Sequence, residues 1–128
     1  MLRSKSVIFV GNNLETSVSS LLAHLRSEGF HLIETASPED LPALLEENPS
    51  VAIVAYDARG EDTARQVLRA LPERRKKTPV IVVVDQGAFE QYYELMCEGA
   101  YDYFELTSGV EVIERAVRWA VGTRTAAA

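Results

Sequence analysis

Apolar residues follow two alternating periods along this chain. Short apolar runs at residues 6–10, 31–35, 51–55, 79–84 and 101–104 read as strands. Helical spacing follows each run. Leu14, Val18, Leu21, Leu22 and Leu25 share one face of a first helix, with Asn13 placed to cap it and Gly29 to end it. Ser37-Pro38-Glu39-Asp40 predicts a second helix start, with a capping Ser, an early Pro and acids near the positive dipole end. Its stripe is Leu41, Leu44 and Leu45, and Asn48-Pro49 stops it. A third helix over 61–71 carries Ala64, Val67, Leu68 and Leu71, and a fourth covers 88–98. The fifth, over 110–121, buries Ile113, Ala116, Val117 and Ala120, leaving 122–128 as a frayed tail or linker stub. Strand and helix alternate five times. The pattern predicts one α/β domain over residues 1–121, a doubly wound (βα)5 unit with a five-stranded parallel sheet.

The runs at 51–55 and 79–84 are apolar without a break, as expected of strands covered on both faces. In such a sheet chemistry sits just beyond the carboxyl ends of the strands, which brings Ala55, Tyr56 and Asp57 to notice. Alternation puts Asp57 on the side of Ala55 if the strand continues. Gly60 follows so closely that Asp57 is expected instead to be a solvated loop carboxylate. Asp85, just past the fourth run, is expected in a turn or at a helix start.

Composition narrows the function. The 128 residues carry a net charge of −6, which favours solubility and argues against nucleic acid as a direct partner. No run reaches membrane-spanning length and no signal-peptide core opens the chain, so a cytoplasmic domain is expected. The single cysteine, Cys97, rules out an internal disulfide, and a partly buried structural thiol is expected. His24 and His31 show no ligand spacing and read as surface residues. The run Arg74-Arg75-Lys76-Lys77 reads as a solvated loop. Val10-Gly11-Asn12-Asn13 lacks the further glycines and the Lys-Ser/Thr that a nucleotide loop needs.

Gly99-Ala100-Tyr101-Asp102-Tyr103-Phe104 is similar to the Gly-Ala-x-Asp-Tyr-Leu run of the receiver domains of bacterial two-component response regulators. A Pro-led third strand and the loop at Gly60 and Asp62 support the likeness, which covers residues 6–121. The resemblance implies a flavodoxin-like topology and a phosphoryl site at the sheet edge. In that family an acidic pair follows the first strand and an acceptor Asp ends the third. A Thr or Ser ends the fourth strand and a Lys follows the fifth. Carboxylates hold Mg²⁺, one of them attacks the phosphoryl group, and Lys and hydroxyl bind its oxygens. Mapped here, the acidic pair falls on Asn12 and Asn13, the acceptor on Ala55, the hydroxyl on Val84 and the Lys on Leu106. Every member is replaced. Losing both signs of charge together avoids stranding a buried cation, so the likeness is to a degenerate receiver, a pseudo-receiver with no cofactor.

Of ten aromatic residues, seven lie between Phe89 and Trp119. They map to the face of the fourth helix, fifth strand and fifth helix, which in receivers carries dimer and partner contacts. Tyr92, Tyr93, Asp102, Tyr103, Arg115, Arg118 and Trp119 are its expected members, with ion pairs from Asp102, Arg115 and Arg118. Tyr103 matches the family's switch aromatic. The expected function is a non-enzymatic module in phosphorelay signalling, binding a protein partner or a second copy without Asp phosphorylation. Two alternatives stand beside it. One is a receiver phosphorylated on Asp57 with Mg²⁺. The other is a small-ligand sensor with a cavity bordered by Asn12, Asn13, Ala55 and Leu106.

Overall fold

The computed structural model describes residues 5–12, 16–48 and 51–127, without the side chains of Thr16, Ser17 and residues 123–127. Asn13 and Leu14, and with them the expected cap of the first helix, lie outside the described residues, as does Pro49. Five strands alternate with five helices. They are β1 (Lys5–Val10), α1 (Thr16–Ser27), β2 (Phe30–Thr35), α2 (Leu41–Glu47), β3 (Val51–Asp57), α3 (Thr63–Ala70), β4 (Val80–Val84), α4 (Phe89–Cys97), β5 (Asp102–Glu105) and α5 (Val110–Ala127). The strands form one sheet in the order β2-β1-β3-β4-β5, parallel throughout. This is the predicted doubly wound fold.

Alternation along each central strand supplies both cores. Val7, Phe9, Ala52, Val54, Tyr56, Ile81 and Val83 pack with Val18, Leu21, Leu22 and Leu25 of α1 and Ile113, Val117 and Ala120 of α5. Their neighbours Ile8, Val10, Ile53, Ala55, Val82 and Val84 pack on the opposite face. There they meet Leu41 and Leu45 of α2, Ala64, Val67 and Leu68 of α3, and Leu95 of α4. All seven residues of β3 are buried, as expected of a strand covered on both faces.

Three local expectations change. The second helix begins with a 3-10 turn, Pro38–Asp40, and Ser37 makes no side-chain cap. Helix α5 continues through Gly122 to Ala127, because one glycine lowers helix propensity without ending a helix that tertiary packing already holds. Cys97 is exposed, since α4 buries only Leu95. The basic run also has structural work. Arg75 donates to the carbonyls of Leu45 (2.7 Å) and Asn48 (3.4 Å), and Lys76 donates to that of Leu68 (3.3 Å). These cations satisfy the last carbonyls of α2 and α3, where the helix dipole favours positive charge.

Candidate functional site

Strand register decides which residues reach the carboxyl edge. Val10, Ala55 and Val82 lie in one row across β1, β3 and β4, and Asp57, Val84 and Glu105 lie in a row two residues nearer the edge. Asp57 is therefore the last residue of β3, beside the last residue of β4. Ala55 lies two residues deeper and is fully buried. The expected solvated loop carboxylate is thereby corrected. Asp57 remains in the strand, only 3% exposed. Its strand pairing with β4 and the helix start above it override the local turn signal.

Asp57 Oδ1 accepts the amide of Ala64, in the first turn of α3, at 3.0 Å. Asp62 precedes α3 but makes no side-chain cap, so the strand carboxylate takes that role across seven residues. Burial pushes the Asp57 carboxyl up to about 6, with the amides of Ala64 and Thr63 pulling it back only partly. Asp57 Oδ2 is buried without a hydrogen-bond partner among the described residues.

Tyr56 points to the other face of β3, where it stacks with Phe9 at 6.4 Å between ring centroids. Its hydroxyl donates to Asp85 Oδ1 at 2.5 Å. Asp85 thus receives a buried tyrosine, a role sequence reading missed because Tyr56 lies in β3 and Asp85 just after β4. The close approach of Gly11 is the other clue. A Cβ there would lie 3.0 Å from both the Cβ and the carbonyl oxygen of Tyr56. Leu106 packs partly buried against this same α1–α5 core, whereas Val84 belongs to the opposite one. Asn12 is exposed at the end of β1, and Asn13 lies outside the described residues. Of the described members of the mapped set, Ala55 and Val84 therefore pack into one core and Leu106 against the other.

An open pocket of about 320 Å³ lies between the loops after β3 and β4. Asp57, Gly60, Glu61, Val84, Gln86, Gly87 and Gln91 are among its walls. No cluster of three or more metal-ligating side chains forms among the described residues.

Tyr103 turns toward α4. Its hydroxyl donates to Gln91 Oε1 at 2.7 Å and accepts the Ala88 amide at 3.3 Å, while its ring meets Tyr92 edge-on at 5.5 Å. Desolvation raises its hydroxyl above the usual tyrosine value, and the carboxylates of Glu105 and Asp57 push in the same direction.

The aromatic face is open. Phe89, Tyr93 and Trp119 are 77%, 61% and 70% exposed. Phe89 packs only with its own helix neighbours Tyr92 and Tyr93 among the aromatic rings, at 6.3 and 6.4 Å. Beside the edge strand β5, a groove of about 550 Å³ runs between Tyr101, Asp102, Phe104, Val112, Arg115 and Trp119. Asp102 and Arg115 share this groove without forming an ion pair among the described residues. Asp102 Oδ1 instead accepts the Tyr103 amide at 2.8 Å. Arg118 does not join the face. It bridges Glu114 (2.8 Å) and Glu28 (3.6 Å) and lies 5.1 Å over the Phe30 ring, because helical spacing brings Glu114 within reach on the α1 side.

Known structures share this architecture. The N-terminal domain of FixJ superposes with a TM-score of 0.77 at 23% identity, covering 94% of this chain and 96% of that one. A signal receiver domain from Vibrio parahaemolyticus gives 0.74 at 14% identity, covering 96% and 94%. The BeF3-activated receiver domain of RstA from Klebsiella pneumoniae gives 0.71 at 16% identity, covering 91% and 98%. The fold is that of response-regulator receiver domains. The comparison with curated proteins finds no match. Residues 15–119 match the family model of the Orn/Lys/Arg decarboxylase N-terminal domain. With that match spanning most of the length, the chain belongs to the family of Orn/Lys/Arg decarboxylase N-terminal domains, carried on a receiver fold.

Proposed function

We propose that this domain is a receiver-fold protein-interaction module that works without phosphorylation of an aspartate. The observation that carries the reading is the state of the sheet edge. Val84 and Leu106 stand at the hydroxyl and lysine positions, each packed into a different core. Asp57 has one oxygen committed to the start of α3. A phosphoryl group attached there would need cations and donors to neutralise it, and the described residues gather none of the family's set. Partner contact would instead run through the open aromatic surface of α4, β5 and α5. That surface has the Tyr, Trp and Arg composition of binding hot spots. The family name attaches such domains to decarboxylases of basic amino acids. An interaction module is compatible with that setting, where the partner would be an enzyme chain or a second copy of this one.

One observation favours a second reading. Asp57 ends β3 beside Val84, which is where an acceptor would stand. Intact-mass spectrometry after incubation with a small-molecule phosphodonor and Mg²⁺ separates the two. The first reading expects no added phosphate. An adduct present in the native protein and absent in Asp57→Ala would overturn it and establish a phospho-accepting domain.

A further inference from the structure

The pocket above Asp57 has a chemistry that the interaction surface does not use. Its inner wall is a carboxylate only 3% exposed, with one oxygen on the Ala64 amide and the other in no well-formed hydrogen bond among the described residues, with only the neutral amide and hydroxyl of Thr63 acting on the group from nearby. A buried carboxylate oxygen in no well-formed hydrogen bond is a strong demand for an N–H group, above all a charged one. The rim carries one charge of each sign, Glu61 and Arg59, and further acids lie beside it. Glu61 lines the same pocket, and Asp62, Glu90 and Glu94 line the adjoining depression between α3 and α4. Arg65 already neutralises part of that outer group through Glu94 at 2.7 Å. Asp57, set deeper, has no such ion pair among the described residues.

The volume suits a small ligand, lying at the low end for binding pockets. Divalent metal is the poorer fit, since no three ligating side chains converge. An ammonium group asks for less. It requires one carboxylate and a polar acceptor on the wall, such as the side-chain carbonyl of Gln86 provides. Arg59 lines the rim, is itself exposed and makes no ion pair among the described residues. It sets a like charge at the entrance.

We propose that this pocket binds a small organic cation through a primary ammonium group, with Asp57 as the counter-ion. This goes beyond the interface reading and is independent of it. The test is a titration of the ¹⁵N-labelled protein with n-butylammonium chloride, followed by amide chemical shifts. Sodium chloride at matched ionic strength and Mg²⁺ serve as parallel arms. Saturable shifts at Gly60, Ala64 and Gly87 are expected, at least tenfold weaker in Asp57→Asn and tighter in Arg59→Ala. Asp57→Asn keeps an oxygen for the Ala64 amide, and its own spectrum reports whether the fold is intact. A variant that fails to disperse is replaced by Gln86→Trp, which fills the pocket from an exposed position of ordinary backbone and should abolish the shifts. The proposal fails if the native protein shows no saturable shift. It fails equally if sodium chloride reproduces the shifts, or if Mg²⁺ shifts the same amides at lower concentration.

Discussion

Asp57 carries a penalty that the fold tolerates at the end of β3. Its carboxyl titrates near 6 in the folded chain and near its ordinary 3.8 when unfolded. Below 3.8 both states are protonated and burial costs nothing through ionisation. As pH rises through 6 the folded state must ionise a buried group, so stability falls and then levels off, by about 3 kcal/mol from a shift of about two units. Asp57→Asn is therefore expected to be more stable than the native protein at pH 8, by about 1–3 kcal/mol, with the gain shrinking toward pH 4. Urea unfolding of the two proteins at both pH values checks this, and an equal difference at both would refute the assignment. On the other face of the strand, Tyr56→Phe removes the bond to Asp85 and leaves the ring stacked on Phe9. A loss of about 1 kcal/mol is expected, read from the same unfolding curves.

Elements are joined here by charges at their ends as much as by apolar stripes. Helix α2 has seven residues, short for a helix to persist without tertiary support. The Arg75 guanidinium ties its last carbonyls to the segment before β4. Arg75→Ala should cost about 1–2 kcal/mol and raise hydrogen exchange in α2 more than in α1. Uniform acceleration across both helices would show that the contact is not local. Between α3 and α4, Arg65 meets Glu94 and Glu98, and these carboxylates hold its guanidinium charged. This link is exposed, and such pairs contribute little by themselves. It fixes orientation near the pocket.

At the scale of the molecule, the two cores and the open aromatic face answer to different constraints. Leu22 is buried between α1 and the sheet, so Leu22→Ala should cost about 2–5 kcal/mol. Trp119 is mostly exposed, and Trp119→Ala should shift stability by no more than about 0.5 kcal/mol. If the face is an interface, the same variant weakens association. Sedimentation velocity over a concentration series, with thermal unfolding alongside, reads both quantities. Loss of stability without loss of association would place Trp119 in the fold rather than in a contact.

Sequence alone determined the architecture, since periods of two and of about 3.6 residues are local properties that leave one sensible way to bury both faces of five strands. It also marked the aromatic concentration between Phe89 and Trp119. It could not set the end of β3, because a residue before a glycine loop reads as solvated until a neighbouring strand is seen to pair with it. Nor could it place Arg118, whose direction was chosen by Glu114 and Phe30, or join Tyr56 of β3 to Asp85 in the loop after β4. The site is a set of distances between residues far apart in the chain. Only tertiary packing decided that Asp57 is a buried carboxylate at the carboxyl edge of the sheet, beside Val84.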